Sequence, residues 1–227
     1  MSSLDSGDSV RTVFVDFQKA FDLVNHNIVF SKLIKHNIPH FLLHWFVSYL
    51  TGRQQRVRTS QSLSFWKELK GAMPQGSWLG PLSFLVLIND LSTGCPVHKY
   101  VDDTTLIESL PKQAKTEMST FLSNLLSWEN ENNMKINTTK TKEMILGPLA
   151  RSNLPFLSTP TGTTERVTSF KLLGLQIDSS LSWANHTTII IQKASRRLYF
   201  LKQLKSAGLA THHLLYFYIA VIKPVLE

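Results

Sequence analysis

Apolar, β-branched and aromatic residues crowd the run "RTVFVDF" (11–17), which predicts a strand ending at Asp16. The period then lengthens. Between residues 27 and 50 the apolar positions are Ile28, Phe30, Leu33, Ile34, Leu42, Leu43, Phe46 and Leu50, and Pro39 interrupts them, so two short helices are expected. "QQRVRTS" and "LSFWKELKGAMPQG" predict a basic strand pair closed by Gly and Pro turn signals. "GPLSFLVLINDL" reads as a buried helix with Pro81 in its first turn. In "HKYVDDTTLIES" (98–109) two strand-like stretches flank an Asp-Asp pair, the pattern of a hairpin. A long amphipathic helix is expected from Pro111 to about Glu131, with Leu110, Ala114, Met118, Phe121, Leu122, Leu125, Leu126 and Trp128 near helical spacing. "KEMILG" (142–147) predicts a strand, residues 150–164 a Ser/Thr/Pro-rich loop, and "FKLLGLQID" another strand; from about His186 the chain reads as helical and basic.

Strand, helix, hairpin, helix, strand is a βαββαβ order, the plan of an α+β, ferredoxin-like sheet. In such a sheet the first strand and the hairpin are neighbours. Asp16 and the pair Asp102–Asp103 would then converge on one edge, although 86 residues separate Asp16 from Asp102. Two carboxylates about 4 Å apart repel by roughly 4 kcal/mol at an effective dielectric of about 20. Protons or cations make such a cluster tolerable, and carboxylate oxygens suit a hard divalent ion that completes its shell with water and phosphate. Two such ions would activate an attacking oxygen and steady a leaving one, as nucleotidyl transfer requires. The bland alternative is an ordinary turn, where aspartate is favoured for its backbone geometry.

Charge favours an anionic partner. Lys and Arg number 24 against 16 Asp and Glu, a net charge of +8. Residues 187–227 hold Lys193, Arg196, Arg197, Lys202, Lys205 and Lys223 against Glu227 alone, and residues 51–70 hold Arg53, Arg56, Arg58, Lys67 and Lys70 against Glu68. The single cysteine, Cys95, cannot form an internal disulfide and fits a reducing compartment. "MSSLDSGDSV" is not a secretory leader, and the apolar runs 78–88 and 214–222 are shorter than the roughly 18 residues of a membrane span. An intracellular protein, nuclear or cytoplasmic, with no membrane partner is therefore expected. His36, His40 and His44 are spaced by four, but Pro39 breaks the helix that would align them and no cysteine or carboxylate completes a zinc site.

"FVDFQKAFDLVNH", "GAMPQGSWLGPLSFLVLINDL", "YVDDTTL", "NTTKTKEMILG" and "FKLLGLQIDSSLSW" occur in an order and with loop lengths that resemble motifs A to E of the reverse transcriptase of non-LTR (LINE-type) retrotransposons. The resemblance covers about residues 12–183. It implies a polar segment over 1–10, a polymerase palm over 11–184 and the start of a basic helical thumb over 185–227. The implied activity is RNA-directed DNA polymerisation, with an RNA template, a DNA primer and deoxynucleoside triphosphates as partners. Asp16, Asp102 and Asp103, with the Phe17 carbonyl, would hold two Mg²⁺ ions, Mn²⁺ being a substitute. Tyr100, Pro74, Gln75 and Gly76 would lie beside the nascent base pair, and Phe21 would be a steric gate against the ribose 2′-hydroxyl, with core packing as its alternative. Lys140 would protonate the departing pyrophosphate, its alternative being a solvated surface charge. Leu173 and Gly174 would form the tip of a primer grip; Arg53, Arg56 and Arg58 would contact template phosphates, and Arg196, Arg197, Lys202 and Lys205 the duplex.

The pattern also departs from the family. The resemblance implies a fingers region before the first motif and a longer thumb than the residues up to Glu227 supply, so a truncated element or gene fragment is expected. Trp78 and Ala72–Met73 add bulk around motif B. The rival expectation is a catalytically silent nucleic-acid-binding remnant. A two-metal nuclease is disfavoured, because the Phe21 gate and the "PQG" segment have no obvious use in hydrolysis.

Overall fold

The computed structural model describes the chain apart from residues 1, 70, 75, 113, 153 and 161. It divides into two units, Met1–Arg166 and Val167–Glu227. In the first, a turn of helix, α1 (Ser2–Asp5), leads into β1 (Ser9–Val15), then α2 (His26–Lys35), α3 (His40–Leu50), a minimal strand pair β2 (Gln54–Gln55) and β3 (Lys67–Glu68), and α4 (Leu79–Ile88). The hairpin strands β4 (Val97–Tyr100) and β5 (Asp103–Leu110), α5 (Met118–Glu131) and β6 (Lys142–Leu146) follow. A 3₁₀ turn at Pro148–Arg151 and three two-residue strands, β7 (Ser158–Thr159), β8 (Gly162–Thr163) and β9 (Glu165–Arg166), complete the unit.

The main sheet has the order β4-β5-β1-β6-β9. β1 is antiparallel to both β5 and β6, β4 is antiparallel to β5, and β9 joins β6 in parallel. The apolar residues of β1 explain its central place, since Val13 and Val15 are buried in one core with Leu106 of β5. Val29 and Leu33 of α2, Phe46 and Leu50 of α3, Phe84, Leu87 and Ile88 of α4, and Leu122, Leu125 and Trp128 of α5 fill the rest of that core. Each such side chain contributes about 1.5–3 kcal/mol on full burial.

Local signals set most boundaries. Asn25 caps α2, its Oδ1 accepting from the backbone N–H of Asn27 at 2.9 Å and of Ile28 at 3.4 Å. Pro39 separates α2 from α3 as expected. The end of α4 is held by two lysines from elsewhere: Lys32 Nζ donates to the Leu87 carbonyl at 2.5 Å, and Lys99 Nζ to those of Ile88 at 2.9 Å and Asn89 at 3.1 Å. Asp90 completes this anchor by accepting from Lys32 Nζ and from Trp128 Nε1. Burial pushes the Lys32 and Lys99 amines down from their ordinary value. Because Lys99 is part of β4 and pairs with Thr104 beside the turn, the anchor also fixes the turn end of the hairpin.

Three expectations are corrected. The fifth helix starts at Met118 and not at Pro111, because β5 runs on to Leu110, which pairs with Ser9. The Glu108 carboxylate of β5 then accepts from the Thr116 hydroxyl at 2.6 Å and from the Glu117 N–H at 2.5 Å, so a distant acid takes an orphan donor at the helix start. α4 is apolar all round yet only half buried, with Leu82 and Leu85 exposed. β1 begins at Ser9, two residues before the expected run.

The second unit contains the hairpin β10 (Ser169–Leu172) and β11 (Leu175–Asp178), then α6 (Ala184–Ser206), α7 (Thr211–Phe217), a π-helical turn at Tyr218–Ile222 and α8 (Lys223–Leu226). The single strand expected over 170–178 is thus two strands, in the same unit as the basic helices. A π-helical turn disturbs the i→i−4 ladder, and here the Val221 carbonyl accepts from Arg197 Nη1 of α6. No described helix is long and apolar enough to cross a membrane.

Candidate active site

β1 and β5 pair in a register that sets Val15 opposite Thr104. Asp16, which leaves β1, and Asp103, which enters β5, therefore lie at one end of the sheet. Tyr100 pairs with Asp103, so Val101 and Asp102 form a two-residue turn between β4 and β5. Val101 has φ +55°, a left-handed conformation that a β-branched residue rarely adopts and that costs on the order of 1–3 kcal/mol. The flanking ladder, anchored through Lys99, holds that strain and presents Asp102 at the tip.

The three acids are coupled through charge. Burial raises the Asp103 carboxyl above its ordinary 3.8, and the neighbouring Asp102 and Asp16 carboxylates raise it further. Among the described residues, no three His, Cys, Asp or Glu side chains stand close enough to form a ready-made metal cage. The expectation that three acids share a small volume therefore holds for their charges and not for a finished ligand set. The donors themselves suit a hard divalent cation: oxygen-only, mutually repelling, and partly open to water and phosphate for the rest of the shell.

Asp16 is fixed by its backbone. Its carbonyl accepts from the Asn137 N–H at 2.7 Å and its N–H donates to Thr141 Oγ1 at 3.3 Å, while Gln18 N–H donates to the Lys135 carbonyl at 2.6 Å. Phe17 bridges to Ile136 and buries its ring against Trp128, centroids 6.1 Å apart, so its side chain belongs to the core and only its backbone could serve the site. The same pairing brings Lys140 Nζ to 3.8 Å from Asp16 Oδ2. Both side chains are exposed enough that this ion pair contributes about 0–1 kcal/mol to stability. Asn137 and Thr141 are site-positioning residues that sequence reasoning missed, although both lie inside the quoted run "NTTKTKEMILG".

Phe21 lies at the border between the core and a cavity. Its ring lies 5.1 Å from that of Phe84, and it also lines a cavity of about 770 Å³ with Asp22, Pro74, Gly76, Trp78 and Pro81. The Phe21 carbonyl accepts from Met73 N–H at 2.9 Å and the Val24 carbonyl from Ala72 N–H at 3.1 Å, which docks the segment before Pro74 onto the segment after β1. Gly76 has φ +79°, a conformation glycine adopts without strain. Gln75 lies outside the described residues. Trp78 is 96% exposed at the cavity rim. The three carboxylates do not line this cavity, and Tyr100 is exposed beside the acid turn.

The remaining candidates fall in two places. Arg53 stacks over Tyr49 at 5.1 Å and donates to the Tyr49 carbonyl at 3.5 Å, Arg56 lies 4.4 Å from the Trp66 ring centre, and Arg58 bridges to Leu63 across the same excursion. In the second unit, Leu173 (φ +47°) and Gly174 (φ +92°) form the tip of the β10–β11 hairpin. Arg196, Lys202 and Lys205 are exposed on α6, whereas Arg197 is half-buried and bound to the Val221 carbonyl, a structural role that competes with contact to a duplex.

Residues 4–177 match the family described as reverse transcriptase (RNA-dependent DNA polymerase). The chain is 28% identical, over 223 residues, to the probable RNA-directed DNA polymerase from transposon BS of Drosophila melanogaster, covering 90% of this chain and 24% of that protein. It is 26% identical, over 204 residues, to the RNA-directed DNA polymerase from mobile element jockey of the same organism, covering 85% and 22%. The chain thus spans about a quarter of the length of these curated relatives. Its fold is similar to that of telomerase from Candida tropicalis in complex with a fragment of telomeric RNA, with a TM-score of 0.54 at 12% identity over 96% of this chain and 38% of that one.

Proposed function

Since this chain belongs to the reverse transcriptase (RNA-dependent DNA polymerase) family, we propose that it carries the palm of an RNA-directed DNA polymerase from a non-LTR mobile element. The observation that carries this reading is the β1–β5 register, which brings Asp16 to the same sheet end as Asp102 and Asp103. The strand order β4-β5-β1-β6, with its antiparallel pairs, supports a ferredoxin-like core in which α2, α3, the β2–β3 pair and α4 replace the first crossover helix. The palm would extend over 11–184 and the thumb would begin at 185, the hairpin with Leu173 and Gly174 serving the primer end.

Asp16, Asp102, Asp103 and the Phe17 carbonyl would hold two Mg²⁺ ions, or Mn²⁺ in their place. When bound, these ions supply Lewis-acid polarisation of a phosphate and activation of a primer hydroxyl. The protein's own contribution is positioning. Hydrogen bonds from the Asn137 N–H to the Asp16 carbonyl and from the Asp16 N–H to Thr141 Oγ1 set Asp16, and the strained turn sets Asp102. Lys140, a cation near Asp16, is suited to give a proton to the departing pyrophosphate. Phe21, supported by Phe84, would close the cavity against a 2′-hydroxyl, while Pro74, Gln75, Gly76 and Tyr100 would flank the incoming deoxynucleotide. The intracellular setting is part of the same proposal.

An annealed DNA primer on an RNA template, supplied with deoxynucleotides and Mg²⁺, should be extended by the purified chain, and Asp102→Ala should abolish extension. Primer–template binding without extension would instead favour a silent remnant, a reading to which the exposed Trp78 at the cavity rim lends weight. Phe21→Val should raise ribonucleotide incorporation relative to deoxynucleotide by roughly 10- to 200-fold, the range for a change of steric fit in a pocket. An unchanged ratio in an active enzyme would return Phe21 to a packing role.

A further inference from the structure

The excursion between α3 and α4 has no core of its own. Every residue of 54–68 is exposed, and the turn is held by the pairs Gln54–Glu68 and Gln55–Lys67, the bridge Arg58–Leu63 and local hydrogen bonds between Val57 and Ser64 and between Thr59 and Ser62, with no buried side chain beneath it. Apolar rings without a core usually mark a binding surface. Phe65 is 94% and Trp66 57% exposed.

These rings are organised with cations. Trp45 and Tyr49 stack with centroids 6.0 Å apart and an interplanar angle of 18°, and the Arg53 guanidinium continues the stack over Tyr49. Arg56 lies over Trp66 in a second stack. Arg53, Arg56, Arg58 and Lys67 face only Glu68 as an opposing charge within this excursion. A protein or lipid partner seeking apolar area would meet guanidinium groups already seated on two of the ring faces. A chain that is both polyanionic and rich in planar groups meets complementary charge and free π-surface together.

The root of the excursion also adjoins the site. The cavity beside Phe21 and a second one of about 630 Å³, lined by Arg53, Gln54, Gln55 and Glu68, share Asp22, Met73 and Pro74. The two cavities therefore adjoin through these residues, one beside Phe21 and the other at the root of the excursion.

We propose that residues 45–66 form a stacking platform for the unpaired bases of a single-stranded nucleic acid, with Phe65 and Trp66 as the base-contacting rings, Arg56 as the cationic partner of Trp66 and Arg53 as that of Tyr49. Choosing a polynucleotide as occupant rests on the polymerase reading, while the preference for single strands rests on geometry: only unpaired bases offer open π-faces, and duplexes offer phosphate alone.

The test uses the full chain in EDTA without nucleotides, so that it is independent of polymerisation. Fluorescence anisotropy is measured with a single-stranded RNA, the DNA of the same sequence and the blunt duplex. Phe65→Leu and Trp66→Leu keep apolar bulk and remove the aromatic face; at such exposed positions circular dichroism and melting should not change. Single-strand affinity should fall about 5- to 100-fold for each, with duplex affinity unchanged. Arg56→Gln should reduce the salt dependence of binding, and the two leucine variants should not. Equal loss for single strand and duplex, or no loss, would overturn the platform, as would binding of a protein or vesicle that the leucine variants abolish while nucleic acid binding persists. Comparing the RNA and DNA arms identifies which strand is held. If the wild type never extends a primer yet shows the single-strand loss, the polymerase reading fails and the platform stands.

Discussion

Glu143→Gln is expected to lower the melting temperature of the first unit by roughly 6–20 °C, one of the two largest effects anticipated for a single substitution. Arg11 is 1% and Glu143 0% exposed, and Arg11 Nε donates to Glu143 Oε1 at 2.5 Å. Each remaining group has a partner. Arg11 Nη1 donates to Thr116 Oγ1 at 2.9 Å and Nη2 to the Pro155 carbonyl at 2.8 Å; Arg166 Nε donates to Glu143 Oε2 at 3.1 Å; and the Thr116 hydroxyl reaches Glu108. Two guanidinium groups and two carboxylates thus neutralise one another within the sheet and its covering loop. Removing the Glu143 charge leaves two guanidinium groups against the Glu108 carboxylate alone, which costs about 3–5 kcal/mol, whereas a matched apolar replacement of a buried pair is often near neutral. The double variant Arg11→Met/Glu143→Leu should therefore recover most of the loss. If Glu143→Gln melts like the wild type, the network contributes nothing to the β1–β6 pairing that carries Asp16.

The second large effect has opposite signs on activity and stability. Asp103→Asn should reduce primer extension by at least roughly 10²–10³-fold, the scale on which loss of one charge-stabilising group acts, while raising the melting temperature in EDTA. Burial and the carboxylates of Asp102 and Asp16 raise the Asp103 carboxyl above 3.8, so the folded protein holds this proton more tightly than the unfolded chain. Below 3.8 both states are protonated and the site adds no strain. As pH rises through the raised folded value the ionised group destabilises the fold, and that cost is complete above it. The stability gap between variant and wild type should accordingly be present at pH 7 and close as pH falls below about 4. Mg²⁺ should narrow it at pH 7 by stabilising the wild type alone. A variant that melts below the wild type in EDTA at pH 7 would mean that Asp103 is held by favourable contacts and not repelled by its neighbours.

Much of this architecture is legible along the chain because it depends on near neighbours. The β-branched run of β1, the Pro39 break, the existence of the hairpin around Asp102 and the strand 142–146 all follow from local period and turn chemistry. Leu173 and Gly174 lie at a hairpin tip, and Phe21 docks against the segment that leads to Pro74. The errors share one cause. The start of α5 is set by Glu108, eight residues before Thr116 in sequence and joined to it only through the fold, so helical spacing alone carried the element back to Pro111. The pairing of Arg11 with Glu143 has no local signature, because each is the other's counter-ion 132 positions away.

By itself, then, the sequence determined the elements, the family and the residue types that carry the chemistry, since propensities and motif spacing act over a few residues. Only the tertiary structure decided which charges are buried in pairs, that Lys140 and Asn137 meet the backbone and side chain of Asp16, and that Asp103 is destabilised by its neighbours. Electrostatic interactions depend on distance and solvent exposure, and both are set by strand register rather than by position along the chain.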